Sequence, residues 1–221
     1  MFKNYFKTAW RSIGNNRTSS IINISGLAVG MAVALLIGLW IYDELSFNKY
    51  HENYDRIAQI MTRGVDAKDG PYVNNSVQYP LATELQTSYA DNFRHIIKAS
   101  WVQDYILSAG DKKLSGKGQF MDEDAPSMLT LKMKEGSRNA LHDPHSILLS
   151  ASLAKSLFGN ADPINKIILI SNKTSVKVTG VYEDLPLNSQ FGIVQFFAPW
   201  SLWETENDWI KMPPMTGITI S

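Results

Sequence analysis

The hydrophobic pattern is organised around residues 21–42, IINISGLAVGMAVALLIGLWIY, 22 positions with no Asp, Glu, Lys, Arg or His. At about 1.5 Å of rise per residue such a run spans roughly 33 Å as a helix, which matches a hydrocarbon core of about 30 Å. Eleven of the 22 are Ile, Leu or Val, and their insertion outweighs the polar Asn23 and Ser25, which lie near one end. The pattern predicts a transmembrane helix over 18–46, flanks included. It ends in LWIYDELSF without a small-residue cleavage site, so it reads as a retained span and not as a signal peptide. Along it Gly26, Gly30, Ala34 and Gly38 recur every four residues. Such a stripe of small side chains lets a second helix approach closely.

Upstream, residues 1–17 hold a different pattern. Phe2, Phe6, Ala9, Trp10 and Ile13 fall at helical spacing, and Lys3, Lys7 and Arg11 occupy another side. This predicts an interfacial helix whose aromatic face (Phe2, Phe6, Trp10) sits in the headgroup boundary of the membrane lipid while Lys3, Lys7 and Arg11 meet anionic headgroups.

Downstream, residues 47–221 read as one mixed α+β domain. The span continues outward for a turn or two, followed by a strand near 56–63 and a loop over 64–75. Pro80 opens a helix whose Leu81, Leu85, Tyr89 and Phe93 recur at intervals of four and predict a buried face. Strands are expected in HIIKASW, DYILSA and KLSGKGQFMD between 95 and 122, with a turn at Gly110-Asp111. The apolar SILLS at 146–150 predicts a buried strand. Ser150 then caps a helix over 151–158, which Gly159 stops. Strands follow at 166–170, at 175–182 with a bulge near Gly180, and at 191–198, ahead of the cluster Trp200, Trp203 and Trp209.

Charge gives the span its orientation. Of 21 basic residues four precede it, none lies in it and 17 follow, against 21 acidic residues that all follow, a net of −4. The N-terminus is therefore expected in the cytoplasm and the α+β domain outside. Nothing in this distribution points to nucleic acid. The chain has no cysteine, which removes disulfides, thiolate metal sites and a cysteine nucleophile.

Candidate chemistry is sparse. There is no phosphate-binding loop, because Gly116-Lys117 lacks the glycine five positions before it. Ser152 and Lys155 match S-x-x-K, in which a lysine activates a serine one helical turn away, but the companion S-D-N and K-T-G elements are absent. His142 and His145 in HDPH have no third ligand in sequence. Asp122, Glu123 and Asp124 beside Pro126 suit a solvated turn. The expectation is a protein without catalytic residues, metal or cofactor.

Two stretches become recognisable together: residues 1–60, FKNYFKTAWRSIGNNRTSSIINISGLAVGMAVALLIGLWIYDELSFNKYHENYDRIAQI after the initiator, and SILLSASLAKSLFGNADPINKIILI with VKVTGVYEDLPLNSQF. In this order they resemble the start of MacB/FtsX-type ABC transporter permeases, in the variant of Bacteroidetes-type bacteria, with their periplasmic core domain. The resemblance runs to about residue 200 and departs at Ala151, where an acid is usual, and at Asn165, where Gly is usual. It implies a non-enzymatic subunit of the bacterial inner membrane with four or more membrane helices. That subunit pairs with a second permease copy or homologous half above a cytoplasmic ABC ATPase subunit. It passes ATP-driven movement to a periplasmic domain acting on a periplasmic or outer-membrane protein, in export or extraction and not import. On this reading the 221 residues hold the first helix and part of the outer domain, a fragment. The competing expectations are a complete single-pass anchored sensor or binding domain and, from a third class, an anchored hydrolase.

Overall fold

The computed structural model describes residues 2–66 and 68–207, with residues 2, 3, 6, 9 and 12–14 described by backbone alone. It divides into two units, Met1–Phe47 and Asn48–Ser221.

The first unit is helical. Helix α1 (Phe2–Asn15) gives way at Asn16 to α2 (Arg17–Ser46), a 30-residue helix. At about 1.5 Å per residue α2 is roughly 45 Å long, enough to cross a bilayer and emerge from it. None of its residues is buried. Two of its serines close on the helix itself: Ser25 Oγ donates to the Ile22 carbonyl (3.1 Å) and Ser46 Oγ to that of Asp43 (2.9 Å).

The second unit is α+β. A hairpin of β1 (Thr62–Asp66) and β2 (Gly70–Asn74) stands apart as its own two-stranded sheet. The remaining strands are β3 (Gln103–Ala109), β4 (Lys112–Met121), β5 (Met133–Gly136), β6 (Ser146–Ser150), β7 (Ile167–Ile170), β8 (Thr174–Tyr182) and β9 (Phe196–Pro199). They pair in the order β5-β8-β6-β9-β4-β3-β7, and β7 also pairs with β8, so six of the seven form a closed ring with β5 attached outside it. Helices α3 (Pro80–Ser88), α4 (Ala125–Met128), α5 (Ala151–Phe158) and α6 (Trp200–Glu206) complete the unit.

The ring has two apolar layers, and β6 and β9 contribute to both. Ile147, Leu149, Phe196 and Ala198 join Leu153, Ala154 and Leu157 of α5 and Leu202 of α6 in one cluster. Leu148 and Phe197, on the opposite face, join Leu129, Leu131, Tyr182 and Leu185 in the other. A strand buried on both faces has no solvent side to alternate with, which is why SILLS reads as an unbroken apolar run. Tyr182, fully buried, donates its hydroxyl to the Val194 carbonyl at 3.0 Å. Ser150 caps α5 through its Oγ, which accepts from Leu153 N (3.3 Å), and Gly159 ends it at φ 65°. The bulge expected near Gly180 is the register shift where Ile147 and Leu148 face Val178 and Gly180. Asn165 sits at φ 62°, a left-handed backbone that Gly adopts freely and Asn tolerates, which accounts for the departure noted there.

Several expectations are corrected. The strand expected near 56–63 begins only at Thr62, after a single 3-10 turn (Tyr54–Arg56) and five residues in no strand, and the loop expected over 64–75 is the rest of the β1–β2 hairpin. Its register is set by the turn at Asp66, whose Oδ1 accepts from Lys68 N (2.8 Å) and Asp69 N (3.1 Å), and by Gly70 at φ 79°. Residues 95–101 make no strand but a single bridge, Ala99 to Met121, on the edge of β4 that β3 leaves free beyond Gly118. The helix opened by Pro80 stops at Ser88. Leu81 and Leu85 are therefore half-buried, while Tyr89 and Phe93, past its end, are about half exposed. Strand β9 starts at Phe196 and not at 191, because Gly192 and Val194 donate backward to Ser189 and Phe191 in a turn. Helices α4 and α6 and strand β5 were not anticipated. Trp200 and Trp203 do pack together, ring centroids 4.6 Å apart, and Trp209 lies outside the described residues.

Candidate functional site: the joint behind the apolar helix

On α2 the stripe expected to pack a second helix is bare. Gly26, Gly30, Ala34 and Gly38 are exposed, and a Cβ added at any of the three glycines would meet nothing within 4 Å. So are the large side chains around them, Leu27, Val29, Leu35 and Leu36 among them. On α1, Lys7, Trp10 and Arg11 are exposed; the side chains of Phe2, Lys3 and Phe6 lie outside the described part of the structure.

The stretch after α2 carries a buried, fully hydrogen-bonded histidine. His51 is 3% exposed. Its Nδ1 lies 2.6 Å from the Leu129 carbonyl oxygen, so Nδ1 carries the proton and donates, leaving Nε2 to accept from Ser189 Oγ at 3.4 Å. The ring is boxed edge-on by Tyr50 and Phe191, at 5.4 and 5.9 Å. Burial pushes the His51 pKa below its ordinary value, against the pull of the Leu129 carbonyl, and keeps the imidazole neutral. Around it Asn48 N donates to Asn188 O (2.8 Å), Gln190 N to Asn48 Oδ1 (2.7 Å) and Glu52 N to Thr130 Oγ1 (3.0 Å). Residues 48–52 are thereby tied both to the end of α4 and to the turn before β9. The signal in sequence was a histidine and an asparagine close behind a span, too little to predict partners 78 and 138 positions away.

Ser152, His142 and the acidic run at 122–124 are engaged structurally. Ser152 Oγ donates to Asp184 Oδ1 at 2.6 Å, and its amide reaches the same oxygen at 3.2 Å. Burial raises the Asp184 pKa, but these bonds and one from Ser150 outweigh it and hold the carboxyl below its ordinary value. A carboxylate that accepts at the start of α5 is a cap. Asp122 accepts from Lys98 N (2.7 Å) and lies 3.6 Å from Lys98 Nζ. Burial nonetheless lifts its pKa. His142 Nδ1 is 2.9 Å from Glu123 Oε2, and His95 Nδ1 is 3.3 Å from Asp124 Oδ2. Among the described residues no three His, Asp or Glu side chains converge on a metal position.

Two open clefts accompany these groups. One of about 300 Å³ lies among Lys98, Asp122, His142, Trp200 and Glu204. There Tyr79 donates to Glu204, which raises the phenol pKa to about 12, first through that hydrogen bond. The other, about 630 Å³, is bordered by Ser152, Asp184, Leu187, Ile193 and Gln195.

Residues 20–220 match the family model of the MacB-like periplasmic core domain. Among solved structures, a domain of a permease protein from Porphyromonas gingivalis aligns with a TM-score of 0.52 at 20% identity, covering 69% of this chain and 62% of that one. The periplasmic region of MacB from Actinobacillus actinomycetemcomitans aligns at 0.47 and 18% identity, covering 78% and 68%. The extracellular domain of the noncanonic ABC-type transporter YknZ from Gram-positive bacteria aligns at 0.48 and 18%, covering 60% and 67%. The likeness to the Porphyromonas structure is one of fold, and this chain spans less than two thirds of its length. No curated protein matches the chain.

Proposed function

The chain belongs to the MacB-like periplasmic core domain family, and from that premise we propose that it is a permease subunit of an ABC transporter, one that transmits movement and performs no chemistry. In this reading α2 spans the bacterial inner membrane, α1 lies on its cytoplasmic surface, and the α+β unit stands in the periplasm. A separate cytoplasmic ATPase subunit supplies the work. A second permease copy or homologous half packs along Gly26, Gly30, Ala34 and Gly38, and the direction is export or extraction.

The observation that carries the reading is the joint at His51. Only Phe47 separates the end of α2 from the first backbone bond into the outer unit, Asn48 N to Asn188 O. Residues 48–52 are hydrogen-bonded into the outer unit from its first residue, and a short connection passes displacement where a long solvated linker absorbs it. A tethered binding domain gains nothing from such a joint.

The test is isolation of the full-length protein from its native membranes after mild cross-linking. An ABC ATPase subunit should co-purify, its hydrolysis responding to His51→Ala. In the same preparation Gly30→Leu should insert normally but lose association with partner helices, because Leu suits lipid and not a close helix contact, while Leu35→Ile should behave as wild type. Recovery as a lone single-span protein without an ATPase would overturn the reading. A reporter fused after residue 60 that is active in the cytoplasm would overturn it too.

A further inference from the structure

We infer that the loop between β8 and β9 is a membrane-surface contact, with Leu187 and Ile193 seated in the headgroup and acyl boundary of the leaflet from which the chain emerges. The inference rests on α2 spanning the bilayer. From Leu185 to Gln195 the chain carries no charged residue. Two of its aliphatic side chains are turned to solvent, Leu187 at 84% exposure and Ile193 at 52%.

This exposure is built in. Leu185, Ser189 and Val194 on either side are buried, and the backbone is turned on itself by Ser189 N to Pro186 O (3.1 Å), Gly192 N to Ser189 O (2.8 Å) and Val194 N to Phe191 O (2.9 Å). A loop so fixed presents Leu187 at one place and holds it there.

The height of that place follows from chain length. The apolar run ends at Tyr42. Four more helical residues and two further steps put Asn48 at most about 13 Å beyond it, no more than about 8 Å outside a headgroup layer about 5–8 Å deep. Asn48 is bonded through its amide to Asn188 O and through its Oδ1 to Gln190 N. Leu187 is therefore one residue from an atom that the chain length keeps close to the membrane surface, and an apolar side chain there has the lipid boundary within reach. Lys49, exposed beside Asn48, suits the anionic headgroups of the same layer.

Exposure alone does not select this loop. Val65 on β1 is exposed to 79%, but Arg63, Asp66, Lys68 and Asp69 surround it in sequence and it lies some twenty residues from the membrane exit. Lipid is the occupant that an uncharged, aliphatic, rigid tip at this height fits.

The absence of cysteine makes the experiment direct. Single cysteines at Leu187, Ile193, Val65 and Leu35 are labelled with a polarity-sensitive fluorophore in the full chain, reconstituted in vesicles of phosphatidylcholine and phosphatidylglycerol. Quenching by shallow and deep spin-labelled lipids and by aqueous iodide is then compared. At 187 and 193 the shallow lipid quencher should act at least about twofold more strongly, and iodide about twofold more weakly, than at 65; at 35 the deep quencher should dominate. If 35 is not quenched by lipid, the span itself is wrong. If 35 is quenched and 187 and 193 respond like 65, the loop inference fails alone. Shielding of 187 from both lipid and iodide would also overturn it, in favour of a protein partner or second copy.

Discussion

Two glycines of the outer unit sit opposite an aromatic residue on the neighbouring strand, in very different surroundings. Gly118 on β4 pairs with Phe196 on β9, and Gly64 on β1 pairs with Tyr72 on β2. In both cases the ring lies over the glycine, so that an added Cβ would fall against ring atoms. Phe196 is fully buried, with Tyr105 and Phe120 edge-on to it at 5.6 and 6.5 Å. Tyr72 is 48% exposed. The same local arrangement is thus a locked core contact in the closed ring and a loose surface cover in the hairpin. Between residues 52 and 99 no described residue is buried at all. What separates the regions is closure: a strand in the ring has neighbours on both edges and an apolar layer on at least one face, whereas the hairpin has only itself.

The sharpest way to break this comparison is Gly118→Ala. The methyl group cannot displace a ring enclosed on every side, and overpacking of this kind costs about 1–3 kcal/mol; we expect the upper end, as a fall in unfolding midpoint measured by urea titration. A loss under about 0.5 kcal/mol, the level of an ordinary surface change, would mean that the ring of strands is far softer than its burial implies.

His51→Ala ranks next. It strips the Leu129 carbonyl of its donor in a buried position, a loss of about 2 kcal/mol. The wild-type protein should also carry a pH signature. Because the folded-state pKa of His51 lies below its ordinary value, the unfolded chain binds a proton that the folded chain refuses as pH drops through about 6.5. Stability contributed by the neutral ring is complete above that pH and is lost below it, down to the folded pKa. Unfolding curves between about pH 7.5 and 5 should slope for wild type and flatten in His51→Ala. Equal slopes would show that His51 does not titrate with folding.

Asp184→Ala removes the acceptor of both the Ser152 hydroxyl and amide, and should cost about 1 kcal/mol, the usual value of a helix cap. The effect belongs to the ring side of the comparison but at its exposed rim. Ser152→Ala should show part of it. Lys155→Ala remains the neutral control.

The sequence was most legible where local signals and burial agree. SILLS, the Ser150 cap, the Gly159 stop and the strand ending in VTGVY lie in a part of the chain where each short segment matches its final state. It was least legible between 56 and 101. There the four-residue series from Leu81 to Phe93 suggested one buried face, but Ser88 ends the helix and the later members fall outside it. The hairpin was hidden because its strands follow no alternation of apolar and polar residues; only the Asp66–Gly70 turn chemistry marks it. The joint at His51 was invisible for another reason. Its partners, Leu129 and Ser189, are brought to it by the closure of the ring, and no window along the chain contains them together. The small-residue stripe on α2, by contrast, needs only helical periodicity to be seen, and α2 places it on an exposed helix.

The smallest effect is expected at Gly64, and it sharpens the comparison most. Gly64→Ala places a methyl group against the Tyr72 ring just as Gly118→Ala does against Phe196, yet Tyr72 can rotate outward into solvent without leaving a cavity. Gly64 is not among the glycines with positive φ, so alanine adopts its backbone freely and narrows the unfolded ensemble, a gain of about 0.4–1 kcal/mol that offsets the cost of moving the ring. The net change should fall within about 0.5 kcal/mol of zero, while Tyr72 becomes more accessible, as measured by its reactivity toward a phenol-modifying reagent. A loss as large as that of Gly118→Ala would require Tyr72 to be held as firmly as Phe196, which only a cover over the hairpin in the assembled protein would provide; measuring the same variant before and after dissociation of the native complex separates a hairpin that is loose by itself from one that a partner locks.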